Sequence, residues 1–215
     1  GITAVLNGDF NGSGYCLKIT GSGVTIRNLD ITRALNVMRA ANVGNLVLDN
    51  LRINNANGNG VLAEGINGIT LSAITTYQVN NSAVYISNSS SAVISNFTAS
   101  NYNTINKCLE ISGTTTVAIS HAHLGCWNMN AILNQCSGVT ITDMDMVYGN
   151  FGLNLTSCPG TVIDGIESQN IINANVSVAA SNSCVIKNGV LHPKSGAAVA
   201  VANSSGTTIQ NLQML

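Results

Sequence analysis

The chain has 215 residues, 45% of them hydrophobic and only 8% charged, with a formal net charge of −1. A balance this even, with no Lys/Arg run, excludes a nucleic-acid face or attraction to an anionic membrane. Apolar residues mostly alternate with Ser, Thr, Asn and Gly and nowhere run to the length of a membrane helix, which excludes a transmembrane span.

In chain order, nine segments share one pattern: VTIRNLDI (24–31), LVLDNLRI (46–53), ITLSAITT (69–76), AVISNFTA (92–99), VAISHAHL (117–124), VTITDMDM (139–146), TVIDGIES (161–168), CVIKNGVL (184–191) and TTIQNLQM (207–214). The third residue of each, from Ile26 to Ile209, recurs at steps of 22, 23, 23, 25, 22, 22, 23 and 23. A fixed period in this range is the mark of a solenoid. Apolar and β-branched residues at every second place make it a β-solenoid and not a helical repeat.

Take the third residue as place 0. Places −2, 0, +3 and +5 are mostly apolar and read as inward, whereas −1, +1 and +4 are mostly polar or small and read as outward. Alternation breaks at place +2, which therefore reads as a bend. Asn28, Asn50, Asn96, Asn188 and Asn211 occupy it, and Asn tolerates the left-handed backbone that a bend needs. Stacked amides there can hydrogen-bond along the column, as an inward Asn ladder.

A third strand precedes most copies, as in YCLKIT (15–20), SAVYIS (82–87), KCLEIS (107–112), FGLNLT (151–156), NVSVAA (175–180) and AVAVAN (198–203). The expectation is an all-β fold: a right-handed, single-stranded parallel β-helix of nine to ten coils, each of 22–25 residues with three short strands. Residues 1–215 read as one β-helix domain. Because open solenoid ends need covers and none is visible, the chain reads as part of a longer protein or of an oligomer.

These coils, with Asn at one bend, resemble the pectate-lyase-like superfamily. The resemblance covers practically the whole chain and implies fold more than function. The Arg-Pro-rich strand of pectate lyases is absent, as are the Asn-Thr-Asp, Asp-Asp and Gly-His-Gly elements of polygalacturonases. Low charge and Asn/Ser/Thr-rich rungs look more like phage tailspikes and related polysaccharide depolymerases. That likeness implies an extracellular or virion-surface location and assembly as a homotrimer.

Chemistry is sought where one place in successive coils gathers ionisable groups. The outward +4 column reads Asp30, Arg52, Thr75, Thr98, His123, Asp145, Glu167, Val190 and Gln213. His123, Asp145 and Glu167 therefore stack at about 4.8 Å per coil. Two carboxyls about 5 Å apart suit retaining glycoside hydrolysis, with Asp145 and Glu167 as the pair and His123 as an alternative base. His121 and Asp143 form a second stacked pair at the bend. The opposing reading is a solvated face with modest cross-strand pairs.

After place +5, four consecutive coils carry Tyr77, Tyr102, Trp127 and Tyr148, in a chain with only 4% aromatics. Such rings stack on sugars while their polar tips hydrogen-bond. They also cover core edges or fill subunit interfaces. Tyr85 and Glu110 should point outward from the third strand, making Tyr85 a further contact and Glu110 a further carboxylate near Trp127. Loops are short, so a deep cleft within one chain is not expected.

Six Cys stand at 16, 108, 126, 136, 158 and 184. Cys136 and Cys158 should stack in neighbouring coils, within the roughly 4.4–6.8 Å Cα separation of a disulfide. Cys108 and Cys126 flank one coil and are also candidates, while free thiols remain equally open. Cys184 reads as a core residue. No zinc spacing occurs, and no metal or cofactor is expected. Of seven Asn-x-Ser/Thr triplets, the one at Asn96 falls in the supposed inward ladder, where no glycan would fit.

The leading reading is a tailspike-like β-helix that binds a bacterial surface polysaccharide, with cleavage left open. A non-catalytic fibre shaft or adhesin is the alternative. A Ca²⁺-dependent polysaccharide lyase is the third; its candidate bases (Lys18, Arg27, Arg33, Arg39 and Arg52) all lie in N-terminal coils.

Overall fold

A computed structural model describes residues 4–7, 14–101 and 106–215; Tyr102 lies outside the described residues. All regular structure in them is β. In chain order the strands are β1 (Ala4–Asn7), β2 (Tyr15–Ile19), β3 (Thr25–Ala34), β4 (Asn36–Ala41), β5 (Gly44–Ala56), β6 (Val61–Glu64), β7 (Asn67–Val79), β8 (Ser82–Ser87) and β9 (Ala92–Asn101). There follow β10 (Lys107–Ser112), β11 (Val117–Cys126), β12 (Met129–Asn134), β13 (Val139–Thr156), β14 (Val162–Ala179), β15 (Val185–Pro193), β16 (Ala197–Ala202) and β17 (Thr208–Met214).

Each coil has a long strand bent at place +2, which supplies two arms, and a shorter strand that precedes the next copy. Every pairing is parallel and joins a strand to its counterpart one coil away, as in β5 with β7 and β11 with β13. β13 and β14 run on through both positions, so each carries all three arms of its coil. The chain is a right-handed parallel β-helix.

The expected columns form. Ile31, Leu48, Ile53, Leu71, Ile74, Phe97, Leu124 and Ile141 are fully buried at places 0, +3 and +5. Val84, Ile86, Leu109 and Ile111 line the core from the shorter strands. Each fully buried aliphatic contributes about 1.5–3 kcal/mol, and one continuous core joins the coils. Cys184 lies inside it, as expected.

The bend is more regular than its sequence. All nine +2 residues are left-handed, from Asn211 at φ 49° to Gly165 at 77°, and they include Ala73, His121 and Asp143. The Asn ladder exists, with Asn50 Nδ2 donating to Asn28 Oδ1 at 2.8 Å and Asn211 Nδ2 to Asn188 Oδ1 at 3.2 Å. It is nevertheless on the outside, with Asn28, Asn50 and Asn96 exposed. A left-handed residue breaks the alternation and turns its side chain outward, which corrects the inward assignment.

A second ladder was not legible as such. A left-handed residue in each coil (Asn42, Gly65, Asn88, Gly113, Gln135, Ser157, Ala180, Asn203) precedes Val43, Ile66, Ser89, Thr114, Cys136, Cys158, Ser181 and Ser204. In the polar members, Oγ or Sγ bonds back to the carbonyl two residues earlier, at 3.1 Å in Ser89 and 2.8 Å in Ser181. Ser89, Cys158, Ser181 and Ser204 also accept a backbone N–H from the coil before: Ile66 N to Ser89 Oγ at 3.1 Å, Cys136 N to Cys158 Sγ at 3.4 Å, Cys158 N to Ser181 Oγ at 2.8 Å and Ser181 N to Ser204 Oγ at 2.9 Å. Buried donors are thereby satisfied without a sheet partner.

Candidate functional site

The +4 column projects outward from the second arm of the bent strands. Cα pairing runs Thr98, His123, Asp145, Glu167 and Val190 on successive coils. His123 Nδ1 lies 2.6 Å from Asp145 Oδ2. The other carboxylate oxygen, Oδ1, is shielded from solvent and accepts no hydrogen bond. With Nδ1 against the carboxylate, the second ring nitrogen of His123 is left for other work. That arrangement fixes an imidazole as a base. Glu167 stands in the next coil, exposed, with Gln169 Nε2 donating to its Oε1 at 3.4 Å. At the bend, His121 Nε2 is 3.4 Å from Asp143 Oδ2, and both side chains are well exposed.

Between the +2 and +4 columns runs a shallow groove. Near the acids it encloses about 290 Å³, walled by Asp143, Gly165 and Asn188 on one side and by Asp145, Glu167 and Val190 on the other. Gly165 keeps it open, since a Cβ there would lie 2.8 Å from Asp143 Oδ1 at a backbone φ of +77°. The groove recurs at the N-terminal coils with about 310 Å³, between Asn28, Asn50, Asp30, Arg52 and Thr75. Beyond Asn188, Asp164 is held below the ordinary carboxylate range, first by the Asn188 amide and then by Lys187.

The aromatic residues divide. Tyr77 and Tyr148 share one outward column through Ser100 and Gly125. They are three coils, or about 14 Å, apart. Pairing shifts by one residue after Leu124 and Met146, leaving Val147 unpaired and setting Tyr148 opposite Gly125. This β-bulge lays the Tyr148 ring over Gly125, where an added Cβ would be 2.7 Å from Cε1. Trp127, 47% exposed, follows two residues after Gly125, and its backbone N–H donates to the Asn101 carbonyl at 3.2 Å. The column is two places beyond the acids on the same outward face, so Tyr148 flanks Asp145.

Tyr85 and Glu110 do not join this group. They are opposite one another on β8 and β10, in the stack of shorter strands. Both Glu110 oxygens are engaged, by Ser82 Oγ at 2.7 Å and Lys107 Nζ at 2.9 Å. Among the described residues no group of three or more His, Cys, Asp and Glu is arranged to hold a metal ion.

Of the cysteine candidates, Cys108 and Cys126 are bonded, with Cα atoms 5.7 Å apart. Cys136 and Cys158 stack as anticipated and stay reduced. Their thiols interact, so that hydrogen bonding from Cys158 draws Cys136 down to about 7. The same contact, reinforced by burial, pushes Cys158 up.

No protein-family model matches the chain, and no curated protein does. Among solved structures, a polygalacturonase from Erwinia carotovora ssp. carotovora aligns over 98% of this chain and 86% of its own, at 12% identity and a TM-score of 0.54. The two share the parallel β-helix fold. At that identity the likeness to this β-helix concerns fold alone. The catalytic domain of a GH87 α-1,3-glucanase in complex with nigerose covers 90% of this chain and 54% of its own, at 12% identity and a TM-score of 0.42. The Streptococcus pneumoniae surface protein and adhesin PfbA covers 98% and 85%, at 12% identity and 0.32. Scores that low carry no argument about this β-helix.

Proposed function

We propose that this protein is an extracellular, tailspike-like β-helix that binds a bacterial surface polysaccharide along the +4 face and cleaves it with His123, Asp145 and Glu167. The observation that carries the reading is the 2.6 Å His123–Asp145 pair opening on a groove beside Glu167. Asp145 orients the ring, His123 accepts a proton from an attacking water, and Glu167 protonates the departing glycosidic oxygen. His123 and Glu167 are two coils apart, about 9.6 Å. That is close to the upper end of the about 6.5–9.5 Å that leaves room for a water between acid and base. Engagement of Asp145 by His123 favours this inverting arrangement over a carboxylate nucleophile. Tyr77, Trp127 and Tyr148 form the sugar-stacking wall, and Tyr102 is assigned to it by sequence.

The polygalacturonase of similar fold supports the substrate class. The Cys108–Cys126 bond supports an oxidising, extracellular compartment, and a virion surface and a homotrimer belong to the same proposal. A lyase is disfavoured, since Arg52, the nearest base in the column, is three coils from His123, or about 14 Å. A purely adhesive β-helix is the second reading, favoured by the 52% exposure of the His123 side chain and by the shallowness of the groove.

The test is reducing-end release from a panel of bacterial capsular and O-antigen polysaccharides, with Asp145→Asn and Glu167→Gln alongside the parent. Release lost in both variants supports the assignment. Release that survives them removes this column from catalysis. Binding without release establishes the adhesive reading.

A further inference from the structure

The bulge and the disulfide meet at one buried amide that the sequence did not single out. Asn130, in β12, is fully buried. Its Oδ1 accepts the Cys126 N–H at 2.9 Å, while Nδ2 donates to the carbonyls of Tyr148 at 2.9 Å and Phe151 at 3.2 Å. One side chain thus joins the segment before Trp127 to the bulge of the next coil, using three of its four hydrogen-bonding positions.

The surroundings fit the amide closely. A Cβ on Gly149 would stand 2.9 Å from Asn130 Nδ2 and 2.5 Å from the Cys126 carbonyl. Cys108, which takes the place opposite Asn130 in the preceding coil, anchors Cys126 through the disulfide. The Trp127 carbonyl accepts the Asn150 N–H at 2.9 Å, so the backbone of that segment is tied on both sides.

We propose that Asn130 is the positioning residue of the aromatic wall: it locks the Trp127 segment to the Tyr148 bulge, so that both rings are held in one arrangement before a glycan arrives. Rings already ordered lose less conformational freedom on binding, and that difference appears as affinity. Without the amide, the Cys126 N–H would be buried without this acceptor and the Tyr148 and Phe151 carbonyls would each lose a donor, and the segment would open to recover water. The role as a sugar platform rests on the function proposed above; the mechanical coupling does not.

Trp127 is the only tryptophan, so its fluorescence reports this segment without any ligand. Acrylamide quenching is measured for the parent, Asn130→Ala and Asn130→Asp, the last keeping the acceptor for Cys126 while losing both donors. Asn175→Ala is the control, since Asn175 is equally buried in the same inward column but bonds Ser168. Quenching should rise in both Asn130 variants and not in the control. Affinity for the panel polysaccharide that the parent binds best should fall about tenfold, the effect of losing one interfacial anchor of modest size. Cleavage at saturation should be unchanged. Unchanged quenching in both Asn130 variants would overturn the proposal, as would an equal rise in Asn175→Ala. Raised quenching, with no polysaccharide bound even by the parent, would uphold the coupling and sink the sugar-binding reading instead.

Discussion

Ala73 is the one residue of the bend column with neither a polar side chain nor the freedom of glycine. It sits at φ 52°, between Asn50 and Asn96, both at 51°. Holding an L-residue with a Cβ in this region costs roughly 1–2 kcal/mol, and Asn relieves part of that through local hydrogen bonding. Asn50 already donates to Asn28 and still has its own Oδ1 to offer upward. Ala73→Asn therefore gains backbone relief and up to two amide links, each about 0.5 kcal/mol at an exposed site. The sum is about 1.5 kcal/mol, or about 3–6 °C in Tm for a chain of this size. Thermal melts of Ala73→Asn and Ala73→Gly, followed by circular dichroism, read the total and its backbone part. An unchanged or lowered Tm in Ala73→Asn, with the β-signal intact, would refute the argument. A rise in Ala73→Gly as large as in Ala73→Asn would assign the gain to backbone alone.

Two further predictions concern groups whose environments are set by stacking. Cys158→Val removes the acceptor of the buried Cys136 N–H and should cost about 1–3 kcal/mol in urea unfolding. Cys158→Ser restores the hydroxyl found at Ser181 and should cost less; equal losses would deny the ladder its role. The depressed pKa of Asp164 contributes stability above the ordinary carboxylate range, and that contribution is lost as pH falls through the folded value. Asn188→Gly, which suits the left-handed backbone, should raise the Asp164 pKa in an NMR titration and weaken this acid dependence. A pKa that does not move would assign the depression to Lys187.

Periodicity made legible whatever repeats. Once Ile26 to Ile209 were aligned, the inward columns, the bend and the adjacency of His123, Asp145 and Glu167 followed, because in-register parallel strands convert sequence spacing into neighbours. Direction at the bend did not follow. Alternation assumes an extended backbone, and a left-handed residue at each of nine bends turns the Asn ladder outward. Sequence offers both cysteine pairs, Cys136 with Cys158 and Cys108 with Cys126, without choosing between them, and the second is the bonded one. Stacking favours Cys136 with Cys158, but there sulfur takes the part that Ser and Thr oxygens take elsewhere in the ladder. Cys108 and Cys126 instead meet across the interior of their coil.

The aromatic wall shows why departures from a repeat matter more for function than the repeat itself. Side chains on a strand change face with every residue, so a slip of one exchanges inside for outside. In strict register Val147 would stand opposite Gly125 and Tyr148 would point into the core. The single extra residue after Met146 reverses this, and sets Tyr148 on the same face as Asp145 and against Gly125. A bulge breaks backbone pairing locally, and it persists only where other bonds replace what is lost. Asn130 supplies them to the carbonyls of Tyr148 and Phe151. Counting places along the repeat assigns Tyr148 to a loop and Asn130 to nothing. The three-dimensional exchange of ladder bonds for side-chain bonds is what puts an aromatic ring beside the only stacked His, Asp and Glu of the +4 column.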